Sequence, residues 1–372
     1  MSTTTAGSTG TGPSVGEPAG VPPAPPPTRT SLGRRTVSAL SFTNIGAVYV
    51  WAVIIVVFSF WAPDTFPTWP TFQQVLNSNA VTGLVALSVV PPLAARVFDL
   101  SLAYTMSLSG VITAKVIVST DIGAGGAIAL AMGTALVIGV INGIVVVTLR
   151  VDSFIATLAT GSLIQAFITM FTDGTTITGP KLLREPFSGI AQKGVAGFTV
   201  PVLYLLLVAL VLWFVLEHTA TGRRLYATGF NTDAARLQGV PADRLRFLTL
   251  VASSAIAGFA GVVFASQIGS GSPEAGTPYL LSSYAAAFVG ATQLRAGRFN
   301  SWGTVIAVLL LGTGTVGLGL ATSAQWAPSL FTGVVLIVAL VVTGGRLGLG
   351  TRLTRRRTTR VTADVEEPEP AT

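Results

Sequence analysis

The 372-residue sequence contains no cysteine, a single histidine (His218) and only three lysines. Without cysteine the chain has no disulfide framework, no thiol nucleophile and no cysteine-ligated metal site. One imidazole cannot build a cluster of histidine and carboxylate ligands, so we expect neither a metal site nor a cofactor. The same shortage leaves few groups for acid–base chemistry, and the sequence predicts no catalytic residues.

Charge is also scarce. Charged residues make up 10% of the chain and hydrophobic residues 50%, with a mean hydropathy of +0.69. A soluble domain has about 25% charged residues, so this composition almost excludes a soluble globular enzyme. The sequence also lacks a glycine-rich phosphate-binding loop ending in lysine and a G-x-S-x-G turn. We therefore expect no P-loop nucleotide hydrolysis on this chain and no enzymatic activity of its own.

Ten apolar segments predict an all-α, polytopic membrane bundle. A spanning helix needs about 20 mostly apolar residues, whereas barrel strands alternate in polarity. The segments lie between a tail over 1–42, with seven prolines from Pro13 to Pro27, and a polar tail over 346–372. We expect both tails to be disordered and residues 43–345 to form the transmembrane domain. The predicted spans are 45–62, 80–97, 101–119, 124–148, 153–171, 199–217, 247–268, 280–294, 302–321 and 326–343.

The basic residues predict the orientation of these segments. If all ten cross and the N-terminal tail is cytoplasmic, 18 of the 22 basic residues fall on the cytoplasmic side, in agreement with the positive-inside rule. The four others are Lys115, Lys181, Arg184 and Lys193. Both termini are then cytoplasmic. The short segment 280–294 could instead be re-entrant, but the C-terminal arginines would then lie outside, so the charge bias favours a full crossing there or a second miscount that restores the parity. The basic excess is explained by membrane topology, so we expect membrane lipid and no nucleic acid as a partner.

Uncharged polar side chains within the spans indicate a route for a neutral solute. Thr157, Thr160 and Gln165 lie roughly on one helical face, and Asn142 is polar in the preceding span. Hydroxyl and amide groups suit a polyhydroxy ligand that is bound by hydrogen bonds. Pro91 is expected to interrupt the second span beside this route, because proline removes a backbone donor. The alternatives are hydroxyls bonded to their own i−4 carbonyls and a simple proline kink.

The polar stretch 218–246 is predicted to be a cytoplasmic connection. Asn231 or Thr232 is placed to cap a short helix over 233–238, and Gly239 is placed to end it. A short capped helix lying on the membrane offers a docking element for a partner. The alternative is a solvated connecting loop.

Four stretches together resemble the permease subunits of ATP-binding-cassette importers for simple sugars, of the ribose, xylose and autoinducer-2 type. Branched-chain amino-acid permeases are more distantly similar. The match covers about residues 45–345, although Leu280, Ser282 and Ala291 depart from the family pattern. The stretches are Phe98-Asp-Leu-Ser101 with Ser107-Leu-Ser-Gly-Val111, Asn142-Gly143 through Leu158, Gly222 through Val240, and Ser270-Gly-Ser-Pro273 with Gly276.

This resemblance implies three kinds of protein partner: two cytoplasmic ATPase subunits, an extracytoplasmic sugar-binding protein, and a second permease that is identical or related. It implies a multi-pass location in the cytoplasmic membrane. It also places the ATPase-coupling motif in the 222–240 stretch, with Gly222, Asn231, Ala234, Ala235, Leu237 and Gly239 as its residues.

Two other functions stay open from the sequence. One is a stand-alone secondary carrier, against which the scarcity of ionisable residues inside the spans argues. The other is a membrane scaffold or receptor without transport activity. Uptake without any ATPase would identify the carrier, and the absence of contact with an extracytoplasmic binding protein would favour the scaffold.

Overall fold

The computed structural model describes residues 2–4, 7, 42–292, 297–322, 324–339 and 341. The expected tails over 1–42 and 346–372 therefore lie almost wholly outside the described residues. Within them the chain is mostly helical, with four strands of two residues each. The helices are α1 Phe42–Trp61, α2 Trp69–Ala94, α3 Leu102–Ser119, α4 Gly123–Gly143, α5 Ser153–Thr172, α6 Val200–Trp213, α7 Ala220–Phe230, α8 Thr232–Leu237, α9 Ala242–Ile268, α10 Thr277–Ala291, α11 Ser301–Ala321 and α12 Ala327–Ala339.

Each of the ten predicted spans falls on a helix, and seven of these helices are long and apolar enough to cross a membrane. The seven are α2, α3, α4, α5, α6, α9 and α11. α4 and α6 reach this length because a π-helical turn extends each of them, over Ile144–Thr148 and Phe214–His218. α10 has only 15 residues. The chain is thus a helical membrane protein with at least seven candidate spans among the described residues.

Two local expectations are corrected by the structure. α2 continues unbroken through Pro91 and Pro92, which are buried in its last turn, so the expected interruption at Pro91 is wrong. Proline lacks the backbone N–H that would bond the i−4 carbonyl, and the helix ends two residues after Pro92, so the missing bonds fall at the end of α2 and do not divide it. The stretch over 220–230 is a helix and not a loop, because Thr219 Oγ1 accepts from the Gly222 backbone N–H and one face is buried.

Close packing of small residues joins α3, α4 and α9. A Cβ atom at Gly261 would overlap the carbonyl oxygen of Met106, and one at Gly139 would lie 2.7 Å from the Val251 Cα. Gly258 faces Ala135 in the same way. In lipid, where the hydrophobic drive between helices is weak, such close backbone approach supplies much of the association energy. These contacts hold α9 directly against both α3 and α4.

Short strands and loops collect at one end of the bundle, which we call the strand end. There β1 (Ile177–Thr178) pairs antiparallel with β4 (Ser270–Gly271), and β2 (Gly194–Val195) pairs antiparallel with β3 (Phe198–Thr199). Ser266 Oγ, near the end of α9, donates to the Phe187 carbonyl at 2.6 Å. The opposite end carries α7 and α8, and we call it the α7–α8 end.

α10 starts inside the bundle. The backbone N–H of Gly276, just before α10, donates to Ser107 Oγ at 2.8 Å, only five residues from the start of α3. At its other end α10 reaches the α7–α8 end, where Gly290 lies against Gly303 in the first turn of α11. The segment between α9 and α10 therefore enters the bundle in non-helical form. α10 then covers the remaining distance to the α7–α8 end.

Candidate functional site

A buried turn between α2 and α3 is held almost entirely by side chains. Four consecutive backbone N–H groups, those of residues 98–101, each donate to a side-chain oxygen. We call this segment the 98–101 turn. The acceptors are Ser153 Oγ at 3.1 Å from Phe98 N, Tyr284 Oη at 3.1 Å from Asp99 N, Thr157 Oγ1 at 3.0 Å from Leu100 N and Asp99 Oδ1 at 3.1 Å from Ser101 N.

Asp99 is fully buried in this turn. Its Oδ1 accepts from the Ser101 hydroxyl at 2.6 Å, and Asn142 Nδ2 donates to that hydroxyl oxygen at 2.7 Å. Ser253 of α9 faces the same carboxylate. The Tyr284 hydroxyl also donates to the Asp99 carbonyl at 2.9 Å. Side chains from α4, α5, α9 and α10 thus meet around one acidic residue.

Of the five residues predicted to border the solute route, the structure brings two to this turn. Asn142 and Thr157 are fully buried and bonded to it, as described above. Thr160 and Gln165 are only half-buried and lie on either side of the packed face of α5. Thr157 and Thr160 donate to the i−4 carbonyls of Ser153 and Ala156, so the back-bonding alternative holds for both hydroxyls.

The sequence does not single out Asp99, the centre of this site. Asp99 lies between two predicted spans, and an acidic side chain is ordinary at the end of a spanning helix. Ser101, Ser253 and Tyr284 carried no recognisable motif of their own. The available signal was the stretch Phe98-Asp-Leu-Ser101, which places a carboxylate beside an apolar segment and two residues before a hydroxyl that it can bind.

The predicted cap of the short helix is confirmed. Asn231 Oδ1 accepts from the backbone N–H groups of Asp233 and Ala234 at 3.1 and 3.0 Å, and Gly239 has a φ of 76° just after α8. The helix runs over Thr232–Leu237, one residue earlier than expected. Its one buried residue is Ala235, whereas Ala234 is exposed and Leu237 is 87% exposed.

α7 connects this short helix to the bundle. Gly222 packs so closely on the backbone of Val215 and Leu216 that a Cβ atom there would overlap it. The Tyr226 hydroxyl donates to the Phe299 carbonyl at 2.6 Å, and the Arg298 guanidinium lies 3.8 Å from the centre of the Tyr226 ring. α7 is thereby fixed to the segment that precedes α11.

The strand end carries a groove of about 230 Å³ with charged walls. Lys181 Nζ lies 2.9 Å from Asp121 Oδ1, and this hydrogen bond holds the pKa of the Asp121 carboxyl below its usual value. Lys193 pairs with Glu185 at 3.0 Å in the same region. Both pairs are well exposed, so water and salt screen them and they contribute little to stability. The groove is a surface of mixed charge suited to contact with a polar partner.

The chain was compared with known proteins. The model of the family described as "Branched-chain amino acid transport system / permease component" matches residues 71–340. The ribose import permease protein RbsC of Escherichia coli (strain K12) is 29% identical over 85% of this chain and 98% of its own length. The D-allose transport system permease protein AlsC and the L-arabinose transport system permease protein AraH of the same organism are each 28% identical, over 82% of this chain and 92% of their own lengths. This chain therefore belongs to the branched-chain amino acid transport system permease family.

Proposed function

We propose that this chain is the membrane-spanning permease subunit of an ATP-binding-cassette importer that carries a monosaccharide or a related polyhydroxy solute across the cytoplasmic membrane. The observation that carries the proposal is similarity along nearly the whole length of three relatives named for ribose, allose and arabinose. ATP is hydrolysed on a partner subunit, and this chain provides the path.

The proposed topology has ten crossings and two cytoplasmic termini. Contacts support it, because segments predicted to share a side meet in the structure. Residues 177–178 pair with 270–271 at the strand end, which is the proposed outer side. Gly229 lies against Ala94, and Tyr226 bonds Phe299, at the proposed cytoplasmic side. α10, although short, joins these two sides as the charge distribution requires.

The ATPase subunit is proposed to dock on α8. An exposed leucine on a capped helix outside the predicted spans is suited to a protein contact, since it gains free energy only when a partner covers it. The coupling residues in this proposal are Gly222, Asn231, Ala234, Ala235, Leu237 and Gly239. An extracytoplasmic sugar-binding protein docks at the strand end, and a second permease subunit completes the path.

The solute path is proposed to be lined by Asn142, Thr157, Thr160 and Gln165, with Pro91 beside it in the last turn of α2. Asn142 has the strongest support, because its side chain is buried and its Oδ1 makes no hydrogen bond. Thr157 lies in the same network.

Reconstitution tests the function directly. The permease is assembled in proteoliposomes with its proposed ATPase and sugar-binding partners, and uptake of labelled D-ribose, D-allose and L-arabinose is measured. We expect one of these sugars to accumulate only when ATP and both partners are present. Uptake that follows a proton gradient without the ATPase would instead identify a secondary carrier. Failure of every sugar under all conditions would contradict sugar transport.

A further inference from the structure

Two buried acceptor atoms in the Asp99 network have no donor. Asp99 Oδ1 is fully engaged by Ser101, but Asp99 Oδ2 makes no hydrogen bond. Asn142 Nδ2 donates to the Ser101 hydroxyl oxygen, and Asn142 Oδ1 makes no hydrogen bond. Both residues have 0% of their surface exposed. A buried polar atom without a hydrogen-bond partner destabilises the folded state, and a charged one does so more strongly.

No counter-charge offsets this cost within the described residues. The ion pairs found there involve other acidic residues, Asp121, Glu185, Asp233 and Asp243, and all of these pairs are exposed. Ser253 Oγ faces the Asp99 carboxylate, yet neither it nor Asp99 Oδ2 makes a hydrogen bond of ordinary geometry. Asp99 Oδ2 is therefore available to accept a hydrogen bond from a ligand.

Unpaired hydroxyls continue from this point along the centre of the bundle. Ser254 Oγ and Ser109 Oγ are buried and make no hydrogen bond. Ser254 lies beside Gly139 of α4, and Ser109 lies beside Gly258 of α9. A metal cation needs only acceptor atoms around it, whereas hydroxyls can both donate and accept. A set that combines a carboxylate, an amide oxygen and serine hydroxyls matches a solute whose own hydroxyls also donate and accept.

We infer that Asp99 Oδ2 and Asn142 Oδ1 are acceptors for the hydroxyl groups of the transported sugar, and that Ser253 completes this binding site. The inference rests on the proposed function and specifies its binding residues. The site is closed in this structure, because its atoms are fully buried. It opens when α9 and the 98–101 turn separate, and the sugar hydroxyls then supply the missing donors.

The test uses the reconstituted importer and whichever of D-ribose, D-allose or L-arabinose it transports, together with the single-deoxy analogues of that sugar. kcat/KM is measured for the sugar and for each analogue. A site built to bind a hydroxyl rejects the analogue that lacks it by a large factor. We expect Asp99→Asn to reduce discrimination against at least one analogue by about tenfold or more. The discrimination ratio is kcat/KM for the sugar divided by kcat/KM for the analogue. Because the binding protein is the same in every experiment, a change in this ratio must arise from the permease.

Thr304→Val is the matched control. It removes a fully buried hydroxyl of α11 that already donates to the Asn300 carbonyl at 2.9 Å, outside the Asp99 network, so it leaves the discrimination ratio unchanged. Asn142→Leu and Asn142→Gln provide a second pair if Asp99→Asn does not assemble. Asn142→Leu removes the acceptor and reduces discrimination, whereas Asn142→Gln keeps an amide oxygen and an amide N–H donor and retains more of it.

Three results overturn the inference. Discrimination ratios that stay at the wild-type value in assembled Asp99→Asn and Asn142→Leu importers show that the network is only structural. A wild-type importer whose uptake requires Na⁺ or K⁺, with that requirement lost in Asp99→Asn, identifies a cation site. A wild-type importer that transports none of the sugars contradicts the proposed function itself, and is thereby distinguished from the first two results.

Discussion

Gly229 of α7 lies directly against the carbonyl oxygen of Ala94, the last residue of α2. A Cβ atom at position 229 would overlap that oxygen. The contact brings the helix that leads to α8 onto the end of a spanning helix that is largely buried in the bundle. Any displacement of α7 by a docked ATPase must therefore move against the end of α2.

Gly229→Ala tests this contact. The added methyl group forces α7 away from Ala94, and overpacking of this kind costs about 1–3 kcal/mol. We expect a lower melting temperature of the purified permease and a several-fold loss of ATPase stimulation by the loaded binding protein. Gly133→Ala in α4 is the control, because a Cβ atom there has no neighbour within 4 Å. Equal behaviour of the two variants would argue against the contact.

Gly239→Val tests the end of α8. Gly239 has a positive φ of 76° in open space, so valine is disfavoured by the backbone conformation alone. We expect normal membrane insertion and loss of stimulated ATPase activity, because α8 then ends in a different direction. Gly123→Val is a matched control, since Gly123 has a φ of 80°, also in open space, but is the first residue of α4, at the strand end. Full stimulated activity in Gly239→Val would contradict a coupling role.

Tyr226→Phe tests the attachment of α7 to the segment before α11. It removes the hydrogen bond to the Phe299 carbonyl and keeps the ring beneath Arg298. A hydrogen bond of this kind contributes about 0.5–1.5 kcal/mol, so we expect a modest fall in thermal stability and a weaker link between ATP hydrolysis and sugar uptake. The measurement is the number of sugar molecules transported per ATP hydrolysed. An unchanged ratio would show that this attachment does not contribute to coupling.

Reporter fusions test the topology. Fusions at Gln192, in the strand-end loops, and at Gln238, just after α8, are expected to lie on opposite sides of the membrane. A fusion at Thr362, which is outside the described residues, is expected to agree with Gln238. The reason is the concentration of basic residues on one side. A Gln192 reporter on the same side as the other two would contradict ten crossings with cytoplasmic termini.

The parts predicted correctly from the sequence depend on local signals. Asn231 and Gly239 flank α8 within a few residues, and their chemistry determines where a short helix begins and ends. The long apolar runs likewise predict the spanning helices. They do not predict that α2 begins at Trp69, three helical turns before the predicted start of the span at residue 80. α7 was missed because its two glycines disfavour an isolated helix, and packing on α2 compensates for them.

The Asp99 network was beyond local prediction. Its partners Asn142 and Tyr284 lie 43 and 185 residues further along the chain, so nothing near Asp99 indicates that it is buried. Thr157 illustrates the same limit. Its position on the helix was predicted, but its bond to the backbone of Leu100 depends on how α5 meets the 98–101 turn.

The 98–101 turn also sets an order for biogenesis. α2 and α3 are synthesised before Ser153, Thr157 and Tyr284, so three backbone donors of the turn lack their final acceptors until α5 and α10 pack beside it. Such donors need water or another partner until then, because lipid cannot satisfy them. The turn is therefore completed only by a helix whose tyrosine lies 185 residues after the acidic residue at its centre.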